Sequence, residues 1–471
     1  MERVFELLIN KATLIIILLG WALLQINAQP DVKIEIEVSH PGKKISEDFT
    51  GLSFETERLL PDSRGCYYFS PANATLIKVF KTLGIKSLRI GGNTADRPWY
   101  DVPDETDIDT FFAFVKKLDN VKVIYTLRLR EGDLERATQP AKYIIDNYSE
   151  FMDCFAIGNE PNVFAKEYDV YKDEWKKYSE AVLAAVPDAK FCGPSSTPGK
   201  TEWALQFTED FWNNGQVKFI SQHAYPGGNG KKINNAADER RNMLSPKWVS
   251  SYEKFHDSFV AGDNVLYRIE EVNSFYNGGA IDVSNTFASA LWGLDFMCWW
   301  SQHDAMGINF HTGDSVAAGE DSGPCMYASF VTAEDGYYIR PLGYALKMFD
   351  LIEGDKWTPL VITNKDSLNI TTYAFQSTGE LFVVIINKEL EAVNNECSIL
   401  VSVDSSYSNG KIISLTAPDA SAKDGIRLGG ESISNTGTWN GEWKELDSTS
   451  AGNYDIDIPH ASACLIKLSV E

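Results

Sequence analysis

Phe155-Ala156-Ile157-Gly158-Asn159-Glu160-Pro161-Asn162 is the stretch on which the reading of this chain turns. Its apolar run, opened by Cys154, has the length of a buried strand and halts at a glycine followed by Asn-Glu-Pro. The proline ends the strand and sets the loop. A carboxylate at the carboxyl end of a buried parallel strand is how α/β barrels place their reactive groups. A second stretch of the same kind, Asn264-Val-Leu-Tyr-Arg-Ile-Glu270-Glu271-Val-Asn-Ser274, also runs from apolar residues into carboxylates.

Outward from these two, short apolar runs alternate with helical stretches. Candidate strands are Phe49–Phe54, Ser87–Ile90, Val121–Leu127, Cys154–Gly158, Lys190–Gly193, Lys218–His223, Val265–Glu271 and Gly307–His311. Helical patterns lie between them, as at Ala72–Leu83, Asp107–Leu118, Ala141–Asn147, Tyr168–Val186 and Ser284–Gln302. Strand–helix alternation of this length predicts an α/β fold, a (β/α)8 TIM barrel over residues 47–350. Glu160 then ends strand four and Glu271 strand seven. Beyond residue 350 the pattern becomes Leu368–Gln376, Leu381–Asn387, Ser398–Val403, Lys411–Leu415 and Cys464–Ser469, separated by Gly, Asn, Ser and Asp. That predicts a C-terminal all-β sandwich over 351–471. Val32-Lys-Ile-Glu-Ile-Glu-Val38 alternates apolar and charged residues, so 29–46 is expected to contribute an N-terminal strand to the sandwich.

The composition narrows the function. Of 471 residues 44% are hydrophobic and 12% aromatic, which suits a large packed core. A net charge of -23, with no run of five basic residues, excludes a nucleic-acid track. Ala12–Leu24 is an apolar run behind Lys11 that gives way to Gln25-Ile-Asn-Ala28. It is short for a membrane span and fits a signal peptide over 1–28, hence a secreted or periplasmic protein with no stable membrane span after cleavage. Seven scattered cysteines without a Cys-x-x-Cys pair argue against a disulfide framework and a zinc site. No metal and no cofactor are expected.

Two carboxylates facing each other across one end of a barrel suit glycoside hydrolysis. One protonates the leaving oxygen and the other faces the anomeric carbon, about 5–5.5 Å away in a retaining enzyme. On this reading Glu160 is the acid/base, its pKa raised by burial and by the neighbouring negative charge, and Glu271 is the nucleophile, kept ionised by donors. Glu270 is the alternative to Glu271. Around them, Tyr225 can donate to the nucleophile, with His223 orienting it. Arg89 is a buried cation able to hold a carboxylate ionised, Asn159 can bond the sugar 2-hydroxyl, and Glu55 ends strand one.

Together, Gly51-Leu-Ser-Phe-Glu55, Leu88-Arg89-Ile-Gly-Gly-Asn93-Thr-Ala-Asp96, Ile157-Gly-Asn-Glu160-Pro, His223-Ala-Tyr225 and Glu271-Val-Asn-Ser-Phe-Tyr276-Asn-Gly278-Gly279 resemble glycoside hydrolase family 79. That family holds β-glucuronidases and heparanase. The resemblance implies a metal-free retaining mechanism, with Glu160 as acid/base and Glu271, from the Glu-x-Asn-Ser match, as nucleophile. It implies that Glu55, Asn93, Asn159 and Tyr225 contact substrate, that Arg89, Asp96 and His223 support the site, and that Tyr276, Gly278 and Gly279 receive the glucuronate carboxylate. One feature departs from the family. Where a carboxylate-binding tyrosine precedes the last barrel helix in relatives, this chain aligns Gly343, with Tyr337, Tyr338 and Tyr344 as possible substitutes. The segment 312–340 is also long, and reads as a lid or subsite wall.

The expected function is therefore a retaining exo-glycosidase that releases terminal β-linked glucuronic acid, 4-O-methylated or not, from an oligo- or polysaccharide. Two alternatives stand beside it. One is a related barrel hydrolase acting on a neutral sugar, an arabinofuranosidase or xylosidase, and the other is a non-catalytic carbohydrate-binding protein. An endo-acting heparanase-like activity would need a basic cleft, for which Arg128 and Arg130 are the one close pair at a strand end.

Overall fold

The computed structural model describes residues 30–262, 264–316, 323–364, 367–390 and 396–470. The candidate signal segment lies outside them. Eight parallel strands close into a barrel: Thr50–Glu55, Ser87–Gly91, Lys122–Leu127, Met152–Ile157, Phe191–Ser196, Val217–Ala224, Tyr267–Val272 and Ile308–His311. Each corresponds to a run expected from the sequence. Strand five extends past Pro194, where the ladder shifts register between Pro194 and Ser196, since proline has no N–H to give.

The two faces of each strand meet different surroundings. Leu52, Phe54, Leu88, Ile90, Val123 and Tyr125 join the large core shared with the surrounding helices. Ile124, Cys154, Ala156, Cys192 and Phe219 form a separate small apolar cluster. Much of the remaining buried strand surface is polar, with Ser53, Arg89, His223, Arg268, Glu270 and Asn309 all at 0% exposure. Arg268 donates to Asn309 Oδ1 at 2.8 Å, Asp48 Oδ2 at 3.1 Å and the Asp48 carbonyl at 2.7 Å, which satisfies that guanidinium near the amino ends of the strands. Arg89 lies nearer the opposite end, where the candidate functional residues gather.

Helices at Ala74–Thr82, Glu105–Val115, Leu134–Tyr148, Tyr168–Ala185, Glu202–Phe211, Ala236–Met243, Pro246–Phe259, Phe287–Gln302 and Pro341–Asp350 surround the barrel. Phe287–Gln302 is apolar on every side and buried from Phe287 to Ser301, as a helix covered on all faces must be. One flank meets the barrel, where Trp292 packs on Phe310. The other meets the β region. There Asp295 accepts from Thr371 Oγ1 at 2.6 Å, Tyr373 OH at 2.8 Å and Lys388 Nζ at 3.1 Å.

The β region is a sandwich of two sheets. One has the order Leu360–Asn364, Val32–Ile36, Glu396–Ser402, Asn453–Pro459. The other runs Lys356–Thr358, Ile370–Ser377, Glu380–Asn387, Ser462–Val470, Tyr407–Thr416, Arg427–Leu428, with Lys444–Leu446 also paired to Tyr407–Thr416. Val32, Ile34, Ile399, Val401, Val383, Ile385 and Ile466 fill the space between them. The N-terminal strand enters as expected, antiparallel to Leu360–Asn364 and parallel to Glu396–Ser402. All seven cysteines are unpaired thiols, and only Cys66 is exposed. Among the described residues no helix is long and apolar enough to cross a membrane.

Candidate active site

Strand four delivers Glu160 through a strained turn. Gly158 has φ 85°, and Glu160 itself sits in the left-handed region at φ 46°, ψ 52°. For a residue with a Cβ that conformation costs on the order of 1–3 kcal/mol, so neighbours must hold it. Asp96 does much of the holding. Its Oδ2 accepts from the Asn159 N–H at 2.6 Å, while Oδ1 accepts from Leu129 N at 2.7 Å and Arg130 N at 2.9 Å. The Glu160 N–H donates to the Ser195 carbonyl at 3.0 Å. Loops after strands two, three and four and the end of strand five are thereby tied together beneath one carboxylate. Burial pushes the Asp96 carboxyl up, against the three N–H groups and the Arg128 charge that stabilise its anion.

Strand seven delivers the second carboxylate. Its ladder to strand eight shifts register between Ile269 and Val272, and within that irregular stretch the two glutamates take separate environments. Glu270 has 0% exposure and accepts from Cys192 Sγ at 3.4 Å. Glu271 accepts from Arg89 Nη1 at 2.6 Å through Oε2 and from Tyr225 OH at 2.8 Å through Oε1. Arg89 also donates to Asn159 Oδ1 at 2.7 Å and Ser53 Oγ at 3.1 Å, so one guanidinium ties the Glu271 carboxylate to the residue preceding Glu160.

Two histidines complete the charge pattern. His223 Nδ1 lies 3.1 Å from Glu160 Oε1 and 3.9 Å from Glu271 Oε1, and its Nε2 lies 3.7 Å from Glu270 Oε1. His311 Nδ1 bonds Ser53 Oγ at 3.1 Å and lies 3.9 Å from Glu271 Oε2, with Nε2 3.7 Å from Glu55 Oε1. Burial alone would raise the Glu271 carboxyl. The charges of His311, His223 and Arg89 and the Tyr225 hydroxyl instead hold it well below the ordinary carboxylate range. Against the same penalty, His223, Arg89 and Ser195 hold Glu270 down at about 2. His223 moves the other way: burial opposes its charge, but the surrounding glutamates push it up to about 9.

The expected site residues do not all occupy equivalent places. Arg89, Asn159, Glu160, His223, Tyr225 and Glu271 form one bonded cluster. Glu55 is held by bonds within the protein. Its Oε2 accepts from both Thr94 N and Thr94 Oγ1 at 2.8 Å, and Oε1 faces His311. A Cβ on Gly92 would come 2.4 Å from that Oε2, so the glycine is needed where Glu55 folds back. Asn93 is exposed at the rim and its carbonyl accepts from Asp96 N at 3.3 Å. Tyr276 is 41% exposed, with its ring 6.3 Å from that of Tyr225. Gly278 and Gly279 follow at φ 82° and 89°. The Gly278 carbonyl accepts from Met326 N at 2.6 Å, and a Cβ on Gly279 would meet Ser284 at 2.9 Å and Tyr327 N at 3.0 Å.

Those last contacts show what the long 312–340 connection does. It carries Tyr327 to the site, its ring 6.3 Å from Tyr225 and 6.1 Å from His311. None of the three tyrosines singled out from the sequence points there. Tyr337 OH takes the Asn73 amide at 2.7 Å, Tyr338 OH donates to the Lys423 carbonyl at 2.8 Å, and Tyr344 OH accepts from Ile433 N at 3.1 Å. Gly343 has no room for a side chain, since a Cβ would lie 2.6 Å from the Ser329 carbonyl. Tyr327, His311, Ser53 and Asn273 were not singled out from the sequence. Asn273 donates to the carbonyls of His311 at 2.9 Å and Tyr327 at 3.3 Å. His311 left a signal as a histidine on the last residue of strand eight, and Asn273 as the asparagine of Glu-x-Asn-Ser.

One oxygen each of Glu160 and Glu271 and one nitrogen of His223 lie within 4.8 Å of one another, close enough to share a cation. The Arg89 guanidinium on Glu271 already supplies positive charge there and opposes a second cation.

No family model matches the chain. A curated β-glucuronidase from Aspergillus niger is 25% identical over 189 residues, covering 34% of each chain, so the match spans about a third of that relative's length. Among solved structures, the chain is similar to a 4-O-α-L-rhamnosyl-β-D-glucuronidase from Fusarium oxysporum. The TM-score is 0.70 at 18% identity, over 92% of this chain and 99% of that one. It is also similar to the family 51 arabinofuranosidase of Xanthomonas axonopodis pv. citri, with a TM-score of 0.67 at 14% identity, over 94% of this chain and 100% of that one. These neighbours are glycoside hydrolases, and the chain has their fold, a (β/α)8 barrel carrying a β-sandwich.

Proposed function

We propose that this protein is a retaining exo-β-glucuronidase acting on glycans with terminal glucuronate, and that it works outside the cytoplasm after cleavage behind Ala28. The observation that carries the mechanism is the approach of Glu160 and Glu271 to within 4.8 Å. That separation suits direct attack, whereas an inverting pair stands roughly 6.5–9.5 Å apart to admit a water. Glu271, ionised between Arg89 and Tyr225, attacks the anomeric carbon. Glu160, the more exposed of the two at 19%, protonates the departing oxygen and then takes a proton from the water that frees the sugar.

The choice of glucuronate rests on the family resemblance, the Aspergillus relative and the surroundings of the Tyr276–Gly279 turn. Tyr327 stands beside that turn, where a phenol O–H and successive backbone amides suit a carboxylate. Arg128 does not favour an endo-acting, polyanion-binding role. It is buried and its guanidinium is spent on the carbonyls of Ala95 at 2.7 Å and Tyr100 at 2.8 Å.

A neutral-sugar reading keeps one supporting observation, the arabinofuranosidases among the structural neighbours. Initial rates on the 4-nitrophenyl β-D-glucuronide, β-D-xyloside and α-L-arabinofuranoside separate the two. Turnover of the glucuronide at least tenfold above the others is expected. Preference for either neutral sugar would overturn the glucuronate assignment and leave the two-carboxylate chemistry standing.

A further inference from the structure

Glu270 has no place in the double-displacement scheme, yet it is a fully buried carboxylate directly below it. Its Oε1 and His223 Nε2 face each other 3.7 Å apart, and among the described residues neither atom has a hydrogen-bond partner. The other nitrogen of the same imidazole is bonded to Glu160 Oε1 at 3.1 Å. A buried carboxylate, an imidazole and the candidate acid/base thus stand in line. The main groups around Glu270 are few. Arg89 and His223 favour its anion, Cys192 donates to it, Cys154 and Tyr171 sense its charge, and Glu271 is its chain neighbour.

We infer that Glu270 is a positioning residue that acts through His223: its buried charge faces one nitrogen of the imidazole, whose other nitrogen holds Glu160 in place. This inference rests on the glycosidase reading above.

The charge count supports it. Glu55, Asp96, Glu160, Glu270 and Glu271 meet Arg89, Arg128, His223 and His311, which is five carboxylates against four cationic groups. Glu270 supplies one of those negative charges, facing His223 Nε2 at 3.7 Å, and Glu270→Gln removes it. In a coupled cluster every remaining proton then leaves at lower pH, whichever group releases it.

The test is Glu270→Gln, which keeps size and a carbonyl acceptor for Cys192. Two readouts are needed, the pH profile of kcat/KM on 4-nitrophenyl β-D-glucuronide and the 15N titration of the His223 ring. The His223 signals are assigned among the six histidines by difference from His223→Gln. Wild-type His223 is expected to remain an imidazolium at pH 7. In Glu270→Gln its titration and the alkaline limb of the profile are both expected at lower pH by about one unit or more. Glu270→Asp, which restores the charge, should recover part of both shifts. A merely structural role would lower activity equally at every pH, and an unmoved alkaline limb overturns the inference. So does neutral His223 at pH 7 in the wild type, a result that needs no variant. Absence of glycosidase turnover in the wild type would count against the function, and the ring titration would still decide the role of Glu270.

Discussion

Tyr225→Phe isolates one hydrogen bond of the proposed mechanism. The Tyr225 hydroxyl donates to Glu271 Oε1 at 2.8 Å, and Phe removes only that oxygen from a ring that packs with Tyr276 and Tyr327. A hydrogen bond to a charged group is worth about 1.5–3 kcal/mol. Where that value is spent differs between the two chemical steps. In the first step Glu271 begins ionised and loses charge as it bonds the sugar, so the donor stabilises ground state more than transition state. In the second step the ester carboxylate departs, charge returns to Glu271, and the donor stabilises the transition state. Deglycosylation should therefore slow by about 10- to 150-fold. With 2,4-dinitrophenyl β-D-glucuronide, kcat should fall by that factor, KM should fall with it, and stopped flow should show a burst of dinitrophenolate equal to the active enzyme. Loss of kcat with unchanged KM and no burst would refute the reasoning, because the bond would then act before the covalent intermediate.

Other predictions follow from the same contacts. Glu160→Ala should cost about 10²–10⁴-fold on glucuronides with poor leaving groups and far less on the dinitrophenyl substrate at the first step, with azide restoring turnover as a β-glucuronyl azide. Lys388→Met should strip the cation from Asp295 in the interface between helix and sandwich and lower stability by about 3–5 kcal/mol, read by urea unfolding. Adding Asp295→Asn should return much of that loss. Stability should also depend on pH at both ends. His223 titrates higher when folded, at about 9 against 6.5, so its contribution is complete below 6.5 and disappears as pH rises through about 9. Glu270 titrates lower when folded, at about 2 against 4.5, so its contribution is complete above 4.5 and disappears as pH falls towards 2. Thermal scans should fall off in both windows, and His223→Gln should flatten the alkaline one.

The barrel was legible because its strands are buried on both faces and read as continuous apolar runs broken by Gly, Asn and Pro. The Gly-Asn-Glu-Pro turn announced itself for a physical reason, since a left-handed glutamate before proline is tolerable only where neighbours enforce it. The sandwich was less complete. Asn453–Pro459, with Tyr454, Ile456 and Ile458 inside and Asp455 and Asp457 outside, alternates too briefly and with too much acid to stand out beside longer apolar strands. Within the site, the sequence could rank Glu271 above Glu270 only by resemblance. Their separate environments arise from a register shift that neighbouring strands impose. Tyr327 was illegible for a related reason. It lies in an irregular connection with no periodicity, and its position follows from Met326 bonding Gly278 across two loops.

The measurement that tests the account most directly is covalent trapping with 2-deoxy-2-fluoro-β-D-glucuronyl fluoride. The fluorine at C2 slows both steps while the fluoride leaving group lets the first proceed, so a retaining enzyme stops as its glycosyl ester. Proteolysis and fragmentation of the peptide containing Tyr267–Val272 then locate the sugar to one residue. The account predicts time-dependent inactivation, one 2-fluoroglucuronyl group per chain, and attachment at Glu271. An adduct on Glu270, or an active enzyme that hydrolyses glucuronides without ever being trapped, would contradict it.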